Sequence, residues 1–374
     1  MASVPLTRAA AARRSKTPTR RDAYPIGEAA SPTTPSFSTR RYCATFFALC
    51  AALWFALLAA DAVLAQFSTA APLLQPLWAA LVARWPWLLG HPTFGGVVGA
   101  VAFFVACCGF SVLDLTRSAS TKIQKDAPWP TLREMAAAGV PQVVIYAAAN
   151  AYSLVALPSG GAAALPALAP TLPTLGRELL VAFVVGDFFI YWEHRLMHAF
   201  AFTRKHIHSW HHAYYAPFSW AGGVVHPAED AVVVVCQIAA PLALAHHPLS
   251  FWLFVFAWTV LLIEEHSGHD VRWAPYNWMP FASCPMGGGA APHDIHHYKV
   301  RACGSAPSAR RAAAAPPPRR PRARTRLRIT RRRPLPRRPA QVNRNYAFVL
   351  CVWDHLFGSF EPVVVPARGR GRIK

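Results

Sequence analysis

Residues 42–65 run for about two dozen positions with Asp61 as the only charged side chain. At 1.5 Å per residue that is enough helix to cross roughly 30 Å of hydrocarbon, where every backbone N–H and C=O must be bonded within the segment. Further apolar runs follow at 94–114, 136–157 and, shorter, 177–192. Residues 231–262 are apolar around an interruption at His246, His247 and Pro248, which reads as a helical hairpin that enters the bilayer and returns, with arms short enough for a re-entrant pair. Hydrophobic residues make up 54% of the 374 and are blocked into runs, so the expected class is all-α, a polytopic membrane helical bundle.

The formal charge of +21 invites a nucleic-acid partner, and its distribution argues against one. Residues 301–344 hold fifteen Arg and no acid, and without them the net charge is +6. That remainder equals the excess in residues 1–41, where eight Arg or Lys stand against Asp22 and Glu28. The intervening chain is close to neutral, so no nucleic-acid partner is expected. Residues 1–41, rich in Ala, Arg, Ser, Thr and Pro, read as a disordered basic tail or a transit peptide. The eight cysteines include no C-x-x-C, and Cys43, Cys50, Cys107 and Cys108 sit in or beside apolar runs; neither a disulfide framework nor a zinc set is expected.

Histidines are concentrated where the apolar runs end. His194 and His198 are four apart, and His208, His211 and His212 follow at three and one within residues 187–212. His293, His296 and His297 repeat the H-x-x-H-H spacing, and Glu264-Glu265-His266-Ser267-Gly268-His269-Asp270 lies between. On a helix such spacings are expected to turn each group of imidazoles in one direction. Eight or nine imidazoles exceed what one tetrahedral zinc takes and point to two metal ions close together; imidazole suits iron. Short Lys/Arg-rich loops face the cytosol, which puts Arg117, Lys122, Lys125 and Arg133, then Arg195, Arg204 and Lys205, on the side of residues 1–41. The hairpin returns His266 to that side, so a cytosolic-face helical cap is expected to hold a histidine-rich di-metal site.

Around the ligands, carboxylates are expected to take the second imidazole N–H, and Asp187, Glu229, Glu265, Asp294 and Asp354 are the candidates. Arg195, Arg204 and Lys205 compete for them as ion-pair partners. His226 and His269 are expected as further ligands, outer donors or substrate-side groups; His206, His246, His247, His91 and His355 are expected outside the site. Tyr214, Tyr215, Phe218, Trp220, Trp278 and Trp192 either shape a substrate channel or anchor the interface.

The motifs HRLMH, HSWHHAYYAPFSW, HPAE, EEHSGHD, PHDIHH and NYAFVLCVWDHLFGSFEP, in this order from about 186 to 362, resemble the fatty acid hydroxylase/sterol desaturase superfamily. The connecting text is most similar to the C-4 methylsterol oxidase branch. The resemblance implies a membrane-bound di-iron oxidase that uses O2 and external electrons to hydroxylate a lipid, in first place a sterol C-4 methyl group. It implies two non-haem iron ions on His194, His198, His208, His211, His212, His266, His293, His296 and His297. NAD(P)H would serve through a separate haem or ferredoxin electron carrier and its reductase, and the substrate would be a membrane lipid. It further implies an integral membrane protein of the endoplasmic reticulum with the site facing the cytosol, or of the plastid if residues 1–41 are a transit peptide.

The expected organisation is a tail at 1–41, membrane spans at 42–175, a catalytic domain at 176–300 and 345–362, an insert at 301–344 and a basic tail at 363–374. The insert, with fifteen Arg and eight Pro, separates PHDIHH from Asn345-Tyr346-Ala347, which the family joins within a few residues. It reads as a solvated basic loop or as translated non-coding sequence, the second being the expectation. His269 stands where methylsterol oxidases often carry Tyr, and this keeps a fatty acyl or carotenoid hydroxylase or desaturase open. An alternative of another class is a non-catalytic metal- or haem-handling membrane protein.

Overall fold

The computed structural model describes residues 39–67, 71–244, 247–271, 273–278, 289–304 and 345–360. The tails, nearly all of the insert, and His246 lie outside the described residues.

The apolar runs are helical: α1 (Thr39–Phe67), then the short α2 (Gln75–Arg84) and α3 (Pro86–Leu89), α4 (Phe94–Leu115), α5 (Leu132–Ala156) and α6 (Leu172–Ala199). The hairpin is α7 (Pro227–Leu244) and α8 (Pro248–Glu265), followed by α9 (Ala290–Gly304) and α10 (Val352–Leu356). No strand occurs among the described residues, only an isolated bridge between Lys122 and His269. Local signals set the starts. Thr131 and Glu134 form a capping box at α5, in which Thr131 N donates to Glu134 Oε2 at 2.8 Å. The interruption in the hairpin is itself a helix start: His247 Nδ1 accepts from Leu249 N at 3.1 Å and Pro248 opens α8.

Helices α1 (over Cys43–Gln66), α4, α5 and α8 are each long and apolar enough to cross a membrane. Phe55, Phe104 and Val155 project from α1, α4 and α5 as exposed apolar groups, suited to acyl chains rather than water. The shorter run expected at 177–192 lies in α6, which is not among these four, nor is α7. Helix α6 carries Arg177, Glu178, Asp187, Glu193 and Arg195, and α1, α7 and α8 pack around it. Asp61, the charge within α1, is matched from α6, where Thr174 Oγ1 donates to it at 2.8 Å and Arg177 pairs with it.

The main core joins Cys43 and Phe46 of α1, Ile190 and Tyr191 of α6, Phe254 and Trp258 of α8, and residues 346–350 from beyond the insert. At one end of the bundle the α4–α5 loop docks on the turn after α8: Ile123 N donates to Gly268 O and Asp270 N to Thr121 O, at 2.9 and 2.8 Å. Gly268 makes that turn with φ of +73°, and a Cβ there would lie 2.5 Å from the Pro217 carbonyl oxygen. Lys122, expected as a loop charge, is folded in with its ammonium 4.1 Å from the Trp129 ring centroid. This end holds the histidines.

Candidate metal centre

His194 and His198 lie one turn apart near the end of α6. A π-turn over Thr203–Ile207 then leads to His208, and a tight turn over His211–Ala213 delivers the next two. Helix α9 supplies His293, His296 and His297, and His266 ends α8. The nine imidazoles form two buried groups: His194, His198, His208, His212 and His296 in one, His211, His266, His293 and His297 in the other.

Each H-x-x-H-H trio is therefore split, where its spacing suggested one direction. The four-spaced members stay together, His208 with His212 and His293 with His297, while His211 and His296 turn to the opposite group. Adjacent positions on a helix lie about 100° apart around the axis, so the last two members of each trio diverge. One trio thus serves two centres.

Within the five-histidine group, Nε2 of His198 lies 3.3, 3.1, 2.8 and 3.1 Å from Nε2 of His194, His296, His208 and His212. In the four-histidine group the Nε2 separations are 3.2 Å for His266–His211, 2.9 Å for His293–His266 and 3.1 Å for His297–His293. Three Nδ1 contacts decide what these nitrogens present. His194 Nδ1 donates to Tyr346 O at 3.0 Å, His266 Nδ1 to Leu262 O at 2.8 Å and His208 Nδ1 to Glu229 Oε1 at 2.5 Å. A carbonyl or carboxylate only accepts, so the ring proton is on Nδ1 and a lone pair on Nε2. Lone pairs converging at about 3 Å repel unless a cation lies between them, and imidazoles at right angles on a shell of about 2.1 Å stand about 3.0 Å apart. The donor set fits a pair of imidazole-seeking metal ions.

Burial and the neighbouring rings hold His211, His212, His293 and His297 well below the ordinary imidazole range, and burial takes His266 down to about 4. All five are neutral imidazoles near pH 7. Gly222 lets the His266 ring in, since a Cβ there would meet His266 Cγ at 3.1 Å.

The outer partners differ from expectation. Glu229 takes a histidine N–H, whereas Asp187 accepts Val349 N and Leu350 N at 2.8 and 2.9 Å. Asp294 accepts Gln124 Nε2 at 2.7 Å, and burial pushes its carboxyl up to about 8. Asp354 holds Tyr346 N and Ala347 N, each at 2.9 Å. Both oxygens of Glu265 are buried without a hydrogen-bond partner among the described residues. Two of the three identified Nδ1 acceptors are backbone carbonyls, which no side-chain pattern announces; Tyr346 and Leu262 went unread for that reason, and Gln124, whose side-chain amide meets Asp294, stands in none of the histidine motifs.

His226 and His269 stand outside both groups. His226 Nδ1 accepts Ala228 N at 3.1 Å beside Trp210, where the chain enters α7. His269 is buried between Asp114 Oδ1 at 3.2 Å and Thr121 Oγ1 at 2.9 Å, which ties the α4–α5 loop to α8. His206 is exposed, and His91, His247 and His355 make contacts elsewhere. Tyr214 and Phe218 pack together in a small core, Tyr215 O accepts Gln124 Nε2, Trp192 lies against Tyr191 and Phe357, and Trp220 Nε1 donates to Ser111 Oγ at 2.8 Å. The Trp278 side chain lies outside the described ones.

All nine clustered histidines fall within residues 179–308, the stretch that matches the family model described as Fatty acid hydroxylase. Residues 179–308 are similar to the fatty acid hydroxylase family. The chain is 35% identical over 129 residues to methylsterol monooxygenase 1-1 of Arabidopsis thaliana, covering 34% of this chain and 41% of the relative. A very-long-chain aldehyde decarbonylase of Oryza sativa subsp. indica is 34% identical over 128 residues (34% of this chain, 46% of the relative). A putative methylsterol monooxygenase of Dictyostelium discoideum is 33% identical over 128 residues (34% and 45%). The chain thus spans less than half the length of these curated relatives. No solved structure matches.

Proposed function

We propose that the chain is a membrane-bound non-haem di-iron oxidase that hydroxylates a lipid, in first place a C-4 methyl group of a sterol. The observation that carries this reading is the pair of buried groups, five and four histidines with converging Nε2 lone pairs, at one end of a bundle with four membrane-length helices. The relatives named methylsterol monooxygenases support the sterol. The five-histidine group would hold one iron and the four-histidine group the other.

When bound, the iron pair supplies the activation of O2 that removes hydrogen from an unactivated C–H bond. The chain supplies the rest. Tyr346 O, Leu262 O and Glu229 fix the tautomers of His194, His266 and His208, so these rings present Nε2 without reorganising. Burial keeps the imidazoles neutral and excludes water that would divert the oxidant. The spans hold the substrate's own solvent, the bilayer, next to the site. Electrons come from NAD(P)H through a separate haem or ferredoxin carrier and its reductase, and the site faces the cytosol from the endoplasmic reticulum, the plastid being the location if residues 1–41 are a transit peptide.

The aldehyde decarbonylase relative favours a second reading at nearly the same identity, oxidation of a long acyl-derived chain. The deciding experiment expresses the chain, with and without residues 305–344, in a strain lacking C-4 methylsterol oxidation. Reductase- and O2-dependent loss of 4-methyl sterol, absent in His208→Ala, is expected. Turnover of long-chain lipids alone moves the assignment to the second reading. Stoichiometric metal with no O2 consumption on any sterol or acyl lipid overturns the enzyme reading in favour of metal handling.

A further inference from the structure

Residues 345–360 lie beyond the matched domain, yet residues 346–350 are built into the main core beside α6. Two buried carboxylates fasten the segment. Asp187, two turns before His194 on α6, accepts Val349 N and Leu350 N at 2.8 and 2.9 Å. Asp354 accepts Tyr346 N and Ala347 N, each at 2.9 Å, and Ser359 Oγ at 2.7 Å. The two ends of the segment are also joined, with Asn345 N donating to Ser359 O at 2.9 Å.

Between these fastenings the segment touches both histidine groups. The Tyr346 ring lies 5.7, 5.4 and 5.7 Å from His194, His198 and His296. The Phe348 ring lies 5.4 and 5.5 Å from His194 and His293, one from each group. The decisive element is one peptide unit. Ala347 N–H and Tyr346 C=O belong to the same planar trans peptide and point in opposite directions. Asp354 holds the N–H, and the C=O receives Nδ1–H of His194 at 3.0 Å. Fixing one side of the plane aims the other.

We propose that residues 345–360 are a clamp on the metal centre, in which Asp354 and Asp187 are positioning residues that act on His194 through the backbone of Tyr346. The proposal rests on the reading of the histidines as metal ligands. Removing the Asp354 charge frees the peptide to rotate, and His194 loses the acceptor that fixes its tautomer. His194 belongs to the five-histidine group alone, so the loss falls on one ion. Asp187 holds the chain two residues further on, and its loss acts on the same ion less strongly.

The test is a cobalt(II) titration of the purified full chain in detergent, read by visible absorption and by bound metal per chain, for wild type, Asp354→Asn, Asp187→Asn and Glu134→Gln. Glu134 is a buried carboxylate of the α5 capping box, and its variant reports what a merely structural loss does. Wild type is expected to take two cobalt ions. Asp354→Asn is expected to weaken one of the two by about 10–100-fold, the effect typical of an outer partner, with a changed spectrum for that ion only. Asp187→Asn should weaken the same ion by less, and it carries the test if Asp354→Asn does not fold. Two tight sites unchanged in both variants, equal weakening of both ions, or the same one-ion loss in Glu134→Gln would overturn the clamp and leave the function standing. A wild-type chain that takes no cobalt would overturn both.

Discussion

Glu229 lies 2.5 Å from Nδ1 of His208, and that contact sets which nitrogen of His208 carries the proton. Glu229→Gln keeps an acceptor and loses the charge, so metal affinity is expected to fall about 10–100-fold with the fold intact, as read by competition with a chelator. Acid should act on the same site. Burial holds His266 at about 4 in the folded chain, and His211, His212, His293 and His297 well below their ordinary range. Free imidazole titrates at about 6.5, so below that pH the unfolded chain binds protons that the folded chain refuses. The five imidazoles are therefore expected to make the metal-free protein less stable from about pH 6.5 down towards about pH 4, outweighing the Asp294 carboxyl, which burial holds up to about 8 and which acts in the opposite sense up to that pH. Melting temperatures in detergent that hold or rise over that window would contradict this. Which histidines converge was legible in their three-, four- and one-residue spacings. Of their outer partners Glu229 was legible and the others were not, because Tyr346 and Leu262 act through backbone carbonyls and Asp187 and Asp354 spend their carboxylates on backbone amides.

At the scale of elements, the membrane helices were legible because an apolar run of membrane length leaves few alternatives to a helix. Helix α6 was legible as a helix, but that Arg177, Asp187 and Arg195 find partners inside the bundle was not. Asp61 with Arg177 is one such pair, and leaving either alone is costlier than removing both. Asp61→Ala is expected to lower the melting temperature, and adding Arg177→Ala to recover part of the loss; a double variant less stable than the single one would contradict the pairing. Gly268 offers a second test. Ala at φ of +73°, with its Cβ 2.5 Å from Pro217 O, should cost on the order of 1–3 kcal/mol and loosen the docking of the α4–α5 loop.

Over the whole molecule, the α4–α5 loop, the segment between α6 and α7, and the turn after α8 meet at one end, as the charges of the loops led one to expect. An impermeant thiol reagent is accordingly expected to label Ala119→Cys and Lys205→Cys from the same side of sealed vesicles, and Ala163→Cys from the other. Residues 345–360 were expected beside the histidines from the NYAFVLCVWDHLFGSFEP motif, across forty-odd Arg- and Pro-rich residues; how they are fastened was not legible, because those contacts run through backbone groups. If each histidine group holds an iron ion, iron per chain in protein purified from membranes reads it without intermediaries. About two per wild-type chain are expected, falling to about one in either His208→Ala or His293→Ala, which remove a ligand from different groups. Less than about one iron in the wild type, or an unchanged content in both variants, would contradict it.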